Sequence, residues 1–323
     1  MTLRAVVKGV GHYLPDRVVP NSEFESLVDT SDEWIRTRTG IERRHFAAES
    51  QSTADLGAIA ARAALDDAGL SASDIDAIIV ATSTPDLTFP STASDIQRLL
   101  GMQHGFAFDL QAVCAGFVYA LANADAMISS GLANRVLVIG AEIFSRLMDW
   151  TDRATCVLFG DGAGAVILEA QPGSGTMNDR GILAVDLHSD GRFRDILRAD
   201  GGTSTGSIGH IRMAGREVFR HAVEKLAATT EAVLAKAGIG ATDIDWVVPH
   251  QANIRIIEAT ARRLNLPMDK VIVTVADHGN TSAASIPLAL SVGKERGQIK
   301  RGDLCVVEAI GGGLAWGSAL LRW

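Results

Sequence analysis

The sequence of 323 residues has few cysteines, few prolines and almost no tyrosine, and each shortage excludes a class of protein. Cys114, Cys156 and Cys305 stand far apart without a CxxC pair, so neither a disulfide framework nor a zinc site is expected. Eight prolines accompany 47% apolar and 21% charged residues at a mean hydropathy of +0.17, a balance that excludes disorder and requires a large buried core. Nowhere is there an uncharged run of the ~18 apolar residues that a membrane span needs. The amino-terminal MTLRAVVKGVGHYLP has too short an apolar stretch for a secretion signal, so a cytoplasmic location is expected. Positive charge is also in short supply. A net charge of −8 and a pI near 5.5 disfavour nucleic acid as a partner and leave room only for a local basic face.

What is present is an internal duplication. AGLSASDID at 68–76 matches AGIGATDID at 237–245 at six of nine positions, a spacing of 169 residues. Each copy follows a helix-like segment, 53–68 or 218–237, that ends on a glycine. Each precedes a short apolar run, 77–80 or 246–248, of the kind that forms a buried strand. Both halves then continue as helix, strand, loop, helix and strand. In the first these are 93–100, 106–110, 111–114, 115–130 and 135–139; in the second, 252–264, 271–275, 276–280, 282–294 and 304–309. Such alternation predicts a layered α/β architecture with covered sheets. The segment 115–130 is apolar nearly all round and predicts a helix buried on every side. The Gly, Pro, Asn and Asp of 171–180 mark the joint, which divides the chain into units 1–172 and 173–323.

Four places can carry chemistry. Cys114 falls between a strand and a buried helix, where the unsatisfied N–H groups of the helix end favour a thiolate. Such sites bring a thiol from ~8.5 to ~3.5–7.5; taken alone, the residue also reads as a small buried hydrophobe. His250 follows the strand of the second repeat, at the carboxyl end where α/β proteins place ligands. By the repeat offset it replaces Ala81, so a titratable ring stands where the first half has a methyl, though a structural histidine would fit as well. Asn280 precedes a helix, in the place that Cys114 takes in the first half, and reads either as a functional amide or as a cap. Neighbouring His278 shares no metal-ligand spacing with His250, and no metal is expected. Gly311–Gly313 frees the backbone to aim an N–H at a ligand. The run at 160–164, Gly-Asp-Gly-Ala-Gly, leads into a strand rather than a helix and predicts a tight turn, not a nucleotide site.

Read in order, AVCAGF around Cys114, FGDGAGA, PHQAN around His250, GNTSAAS around Asn280 and the final GGGLAWGSALL resemble β-ketoacyl-[acyl carrier protein] synthase III. The likeness extends from GVGHYLP at 9–15 and TSDEWIRTRTG at 30–40 to the last residues. It implies a thiolase-like fold, a duplicated αβαβα architecture with pseudo-twofold halves, and a homodimer. It implies Cys114 as the nucleophile acylated by acyl-CoA, His250 and Asn280 as the groups that hold the malonyl enolate, and the N–H groups of Cys114 and Gly312 as the oxyanion hole. Trp34 and Arg153 would enclose the CoA adenine, with Arg38 near its phosphates and Asn253 beside them. Phe159 would line the acyl pocket, and Phe89 would reach the pocket of the partner subunit. Gln251, Arg255, Arg262, Arg263, Arg216 and Arg220 would meet the carrier protein.

The expected reaction is acylation of Cys114 by a short acyl-CoA, first of all acetyl-CoA, and decarboxylative condensation with malonyl-acyl carrier protein to begin a fatty acid. Acyl-CoA is a substrate here, and no tightly bound cofactor is expected. A specialised relative serving polyketide, quinolone or branched-starter synthesis would carry the same catalytic set. A non-catalytic acyl-binding or scaffold subunit is the reading of another class. A biosynthetic thiolase fits less well because no cysteine follows Cys305, and an elongating synthase with two histidines is disfavoured by Asn280.

Overall fold

A computed structural model describes residues 2–323. The apolar runs form two principal sheets. The first has five strands in the order Thr2–Tyr13, Asp161–Gly173, Arg135–Ile143, Ala77–Ala81, Phe106–Leu110. The second has four, in the order Trp246–Pro249, Leu304–Gly311, Ala315–Arg322, Gly181–Ser189. Ala77–Ala81 runs parallel to both its neighbours, and Trp246–Pro249 runs parallel to Leu304–Gly311. Ala77–Ala81 is buried at every position, which is why this strand shows no polar alternation in the sequence.

Between the sheets lie the helices Gly116–Ser129 and Ser285–Glu295, packed in one core with Ile79, Val138, Val248 and Val307. On the far face of the first sheet, Thr53–Ala68 and Thr92–Leu99 cover Ile78, Val80 and Ile139. Against the second sheet lie Gly215–Ala237 and, beside it, Ile254–Arg263. The result is the expected thiolase-like αβαβα layering. The 169-residue offset holds closely: Gly69 and Gly238 end their helices at φ 66° and 68°, and the turns Ala72–Asp74 and Ala241–Asp243 follow. Glycine is required at both caps because a left-handed backbone crowds any Cβ.

Three local expectations are corrected. The glycines at 162 and 164 lie inside the strand Asp161–Gly173 rather than in a turn. A Cβ on Gly164 would stand 2.5 Å from the backbone nitrogen of Leu288, so glycine there lets the helix Ser285–Glu295 press onto the strand. Residues 271–275 form no strand beyond a single bridge from Val271 to Val247. The Gln251 carboxamide takes the backbone bonds instead: its nitrogen donates to Pro249 and Ile272 carbonyls, and its oxygen accepts from the N–H groups of Thr274 and Val275. The helix Gly116–Ser129 is buried through its first turns, but Ala126 and Ser129 are exposed because its later turns come to the surface of the chain.

Candidate active site

After the strand Phe106–Leu110 the chain turns sharply at Val113, whose φ is 50°, and passes through a 3-10 turn Val113–Ala115 into the central helix. A β-branched residue in the left-handed region is strained, and such strain is held only where surrounding packing fixes it. Cys114 occupies the middle of that turn. Gly311 closes against it, since a Cβ there would stand 2.6 Å from the Cys114 nitrogen. Gly312 follows and faces the same cavity. Glycine at 311 therefore lets the backbone press onto the Cys114 turn.

The thiol is only 5% exposed, and burial pushes it up to about 12. This reverses the expectation of a low-pKa thiolate. The helix end is in place, but the apolar surroundings withdraw solvent, and the nearby Glu142 carboxyl adds a like charge.

His250 is 4% exposed, and its backbone N–H donates to the Glu308 carbonyl at 2.8 Å. Its Nδ1 meets the Ser285 hydroxyl at 2.7 Å, which sets the ring plane. Burial brings it down to about 3, so the imidazole is neutral throughout the physiological range. Asn280 is tied on both backbone sides to the neighbouring segment, donating to Leu158 and accepting from Gly160, each at 2.9 Å. Its Oδ1 accepts the Ser282 N–H at 2.9 Å, which identifies the remaining amide atom as the nitrogen, a donor. Asn280 does not take Cys114's place in the repeat. Ser282, with φ 50° and a 3-10 turn Ser282–Ala284, matches Val113, so Cys114 corresponds to Ala283.

Cys114, His250, Asn280 and Gly312 line one cavity of about 2160 Å³ that opens to the surface. Trp34, Arg38, Arg153 and Asn253 line it too, with the guanidinium of Arg153 4.8 Å and that of Arg38 5.7 Å from the Trp34 ring. Asn253 spends its side-chain oxygen as the cap of Ile254–Arg263. Phe159 forms a wall, 5.1 Å from the ring of Phe144. Phe89 is 82% exposed and does not line this cavity. Arg216, Arg220, Arg255, Arg262 and Arg263 are exposed on two adjacent helices and carry no salt bridge among the described residues. Gln251 is different. At 1% exposure, with its carboxamide bonded to four backbone groups, it cannot meet a carrier protein, and that expectation is withdrawn.

Sequence reasoning missed several residues of the site. Ser285, which holds the imidazole, and Ser282 both lie within the GNTSAAS motif, so the motif located them without revealing their partners. Glu142 could have been found as an acid within the last residues of a strand that is apolar from Val136 on. The hairpin of Leu197–Ala199 and Ile211–Met213 carries the glycine-rich stretch 199–209 over the cavity, where Gly201, Thr203 and Ile208 form part of the rim.

Known proteins share this arrangement. The model for 3-oxoacyl-[acyl-carrier-protein] synthase III matches residues 108–191, and that for its C-terminal part matches 234–323. Beta-ketoacyl-[acyl-carrier-protein] synthase III of Cereibacter sphaeroides is 76% identical over 323 residues, covering 100% of both chains. The crystal structure of 3-oxoacyl-[acyl-carrier-protein] synthase III from Aquifex aeolicus superposes with a TM-score of 0.93 at 47% identity, covering 99% of this chain and 100% of the other. A priming beta-ketosynthase from the R1128 polyketide pathway has a TM-score of 0.92 at 34% identity, covering 99% and 96%. Full-length identity on this scale, over a cavity that gathers a cysteine, a neutral histidine and an asparagine amide, shows that the chain belongs to the β-ketoacyl-[acyl-carrier-protein] synthase III family of thiolase-like condensing acyltransferases.

Proposed function

We propose that this family member takes an acetyl group from acetyl-CoA onto Cys114, condenses it with malonyl-acyl carrier protein, and so initiates fatty acid synthesis. The observation that carries this reading is the convergence of one thiol and two uncharged donors on a single cavity. A thioester carbonyl at Cys114 would place its oxygen toward the N–H groups of Cys114 and Gly312, and loss of one such donor typically costs ~10²–10³ in rate. Loss of CO₂ from malonyl leaves an enolate whose oxygen needs hydrogen-bond donors and no base. The Ser285 hydroxyl accepts from the Gln251 N–H and can donate to Nδ1, which leaves the ring proton on Nε2 of His250. That proton and the Asn280 amide are the two donors for the enolate.

Trp34 and Arg153 offer a stacking slot for the adenine at the mouth, and Arg38 a charge for phosphate. The unpaired arginines on Gly215–Ala237 and Ile254–Arg263 form a basic face suited to an acidic carrier protein, on an enzyme whose net charge is −8. Phe89, an apolar ring 82% exposed in the single chain, supports a homodimer in which it enters the partner. No helix among the described residues is long and apolar enough to cross a membrane, in keeping with a cytoplasmic enzyme. The test is intact-protein mass after exposure to a panel of acyl-CoAs, followed by malonyl-acyl carrier protein. An acetyl adduct on Cys114 that disappears on the second addition supports the reading. An adduct only from branched, aromatic or long acyl groups would move the chain to specialised synthesis, and no adduct with any donor would refute the nucleophile.

A further inference from the structure

We propose that Glu142 is a positioning and proton-holding residue that acts through the Ser282 hydroxyl, taking the proton of the Cys114 thiol during acyl transfer and returning it during condensation. The inference rests on Cys114 being the nucleophile.

Glu142 stands at the end of the strand Arg135–Ile143, is 0% exposed, and forms no salt bridge among the described residues. Its Oε2 is well served, accepting from the Thr84 hydroxyl at 2.7 Å, the Ser83 N–H at 3.0 Å and the Thr82 hydroxyl at 3.2 Å. Its Oε1 is buried with no partner at all. A buried carboxyl oxygen without a donor is costly, and it is free to take a proton. The Ser282 hydroxyl is likewise buried and unpartnered. The turn that bears it packs on the turn of Cys114 and on the strand of Glu142, and its hydroxyl favours the charged form of both groups. Gly140, two residues before Glu142, lets the strand press onto this turn, since a Cβ there would stand 2.3 Å from the Ala283 carbonyl oxygen. The backbone thus brings the strand of Glu142 and the turns of Ser282 and Cys114 together.

The ionisation of the end groups suits transfer. Burial lifts the carboxyl to about 7, so near neutrality it is poised between accepting a proton and releasing one. Burial pushes the thiol up to about 12, which favours handing its proton to a nearby acceptor as the sulfur attacks. The carboxyl faces the hydroxyls of Thr82, Thr84 and Ser282, and the ionisable group against it is the Cys114 thiol. His250, neutral and tied to Ser285, is engaged elsewhere.

The step balances. As the bond from Sγ to the acyl carbon forms and the CoA C–S bond breaks, the Sγ proton passes to the Ser282 oxygen and that hydroxyl's proton to Oε1 of Glu142. CoA leaves as thiolate and is protonated by solvent. When the enolate carbon attacks the Cys114 thioester, the Sγ–C bond breaks and the proton returns along the same path.

The experiment is single-turnover CoA release from acetyl-CoA between about pH 5.5 and 9, for the wild type, Glu142→Gln and Ser282→Ala, with the adduct confirmed by mass. In the wild type the rate should rise with pH and level off above the carboxyl's value of about 7. In both variants it should keep climbing about tenfold per pH unit, as thiolate does below its own pKa, and lie ~10²-fold below wild type at pH 8. Ser282→Ala retains the carboxyl, so it decides the question if Glu142→Gln does not fold. A wild-type profile without the bend, or variants that bend at the same pH, would overturn the proposal. A missing Cys114 adduct in the wild type would instead overturn the nucleophile, so the two failures are distinguishable.

Discussion

The two halves of the molecule build the same turn and use it differently. Val113 and Ser282 both bend at φ 50° and lead through a 3-10 turn into a central helix, yet the second position of the turn is Cys114 in one half and Ala283 in the other. The strand ends reverse the allocation: Ala81 closes Ala77–Ala81, and His250 follows Trp246–Pro249 at the matching place. In the proposed reaction one half therefore supplies the nucleophile and the other supplies the donors, across a shared core. The duplication presents the same positions twice, and each half carries a reactive side chain at a position where the other has alanine.

The largest effect is expected of Cys114→Ser, which should reduce acyl transfer to background. Ala283→Cys added to that variant should not restore it, because position 283 is buried in the core and does not line the cavity; an adduct at position 283 in the mass spectrum would contradict the division of labour. Next in size, Asn280→Ala or His250→Ala should slow malonyl decarboxylation by ~10²–10³ while Cys114 still acylates. Equal losses in both steps, measured as CO₂ release and CoA release, would count against separate roles. Because His250 lies far down at about 3, its neutral form persists from about pH 5 to 9 and the decarboxylation of pre-acylated enzyme should show no histidine limb there.

Smaller effects separate structure from docking. Gln251→Leu leaves buried N–H and carbonyl groups without partners, each costing ~1–3 kcal/mol, so the melting temperature should fall markedly. The KM for carrier protein should be affected only as far as active protein is lost. Arg255→Glu should do the opposite, raising that KM about tenfold with stability and acylation by acetyl-CoA unchanged, and less so at high salt. A KM indifferent to Arg255 would move the docking face elsewhere.

Much of this was legible in advance because it is local. The glycine caps at 69 and 238, the alternating helices and strands, and the motifs around Cys114, His250 and Asn280 are written in short stretches whose physics does not depend on distant partners. The misreadings share a cause. The strand expected at 271–275 was lost to the Gln251 carboxamide, and the glycine at 164 serves a helix more than 100 residues away. Gln251 stood in a catalytic motif, but its valences were already spent.

By itself, then, the sequence determined the duplication, the layered class and the motifs in which Cys114, His250 and Asn280 stand, since periodicity, capping and residue chemistry act over a few neighbours. Only the tertiary structure decided their electrical state and their company. Burial is a property of everything around a group, and it made the thiol at 114 harder to ionise where its own turn and helix argued the reverse. The same packing set an unpaired carboxyl oxygen and an unpaired hydroxyl beside that thiol, an arrangement no single stretch of the chain contains.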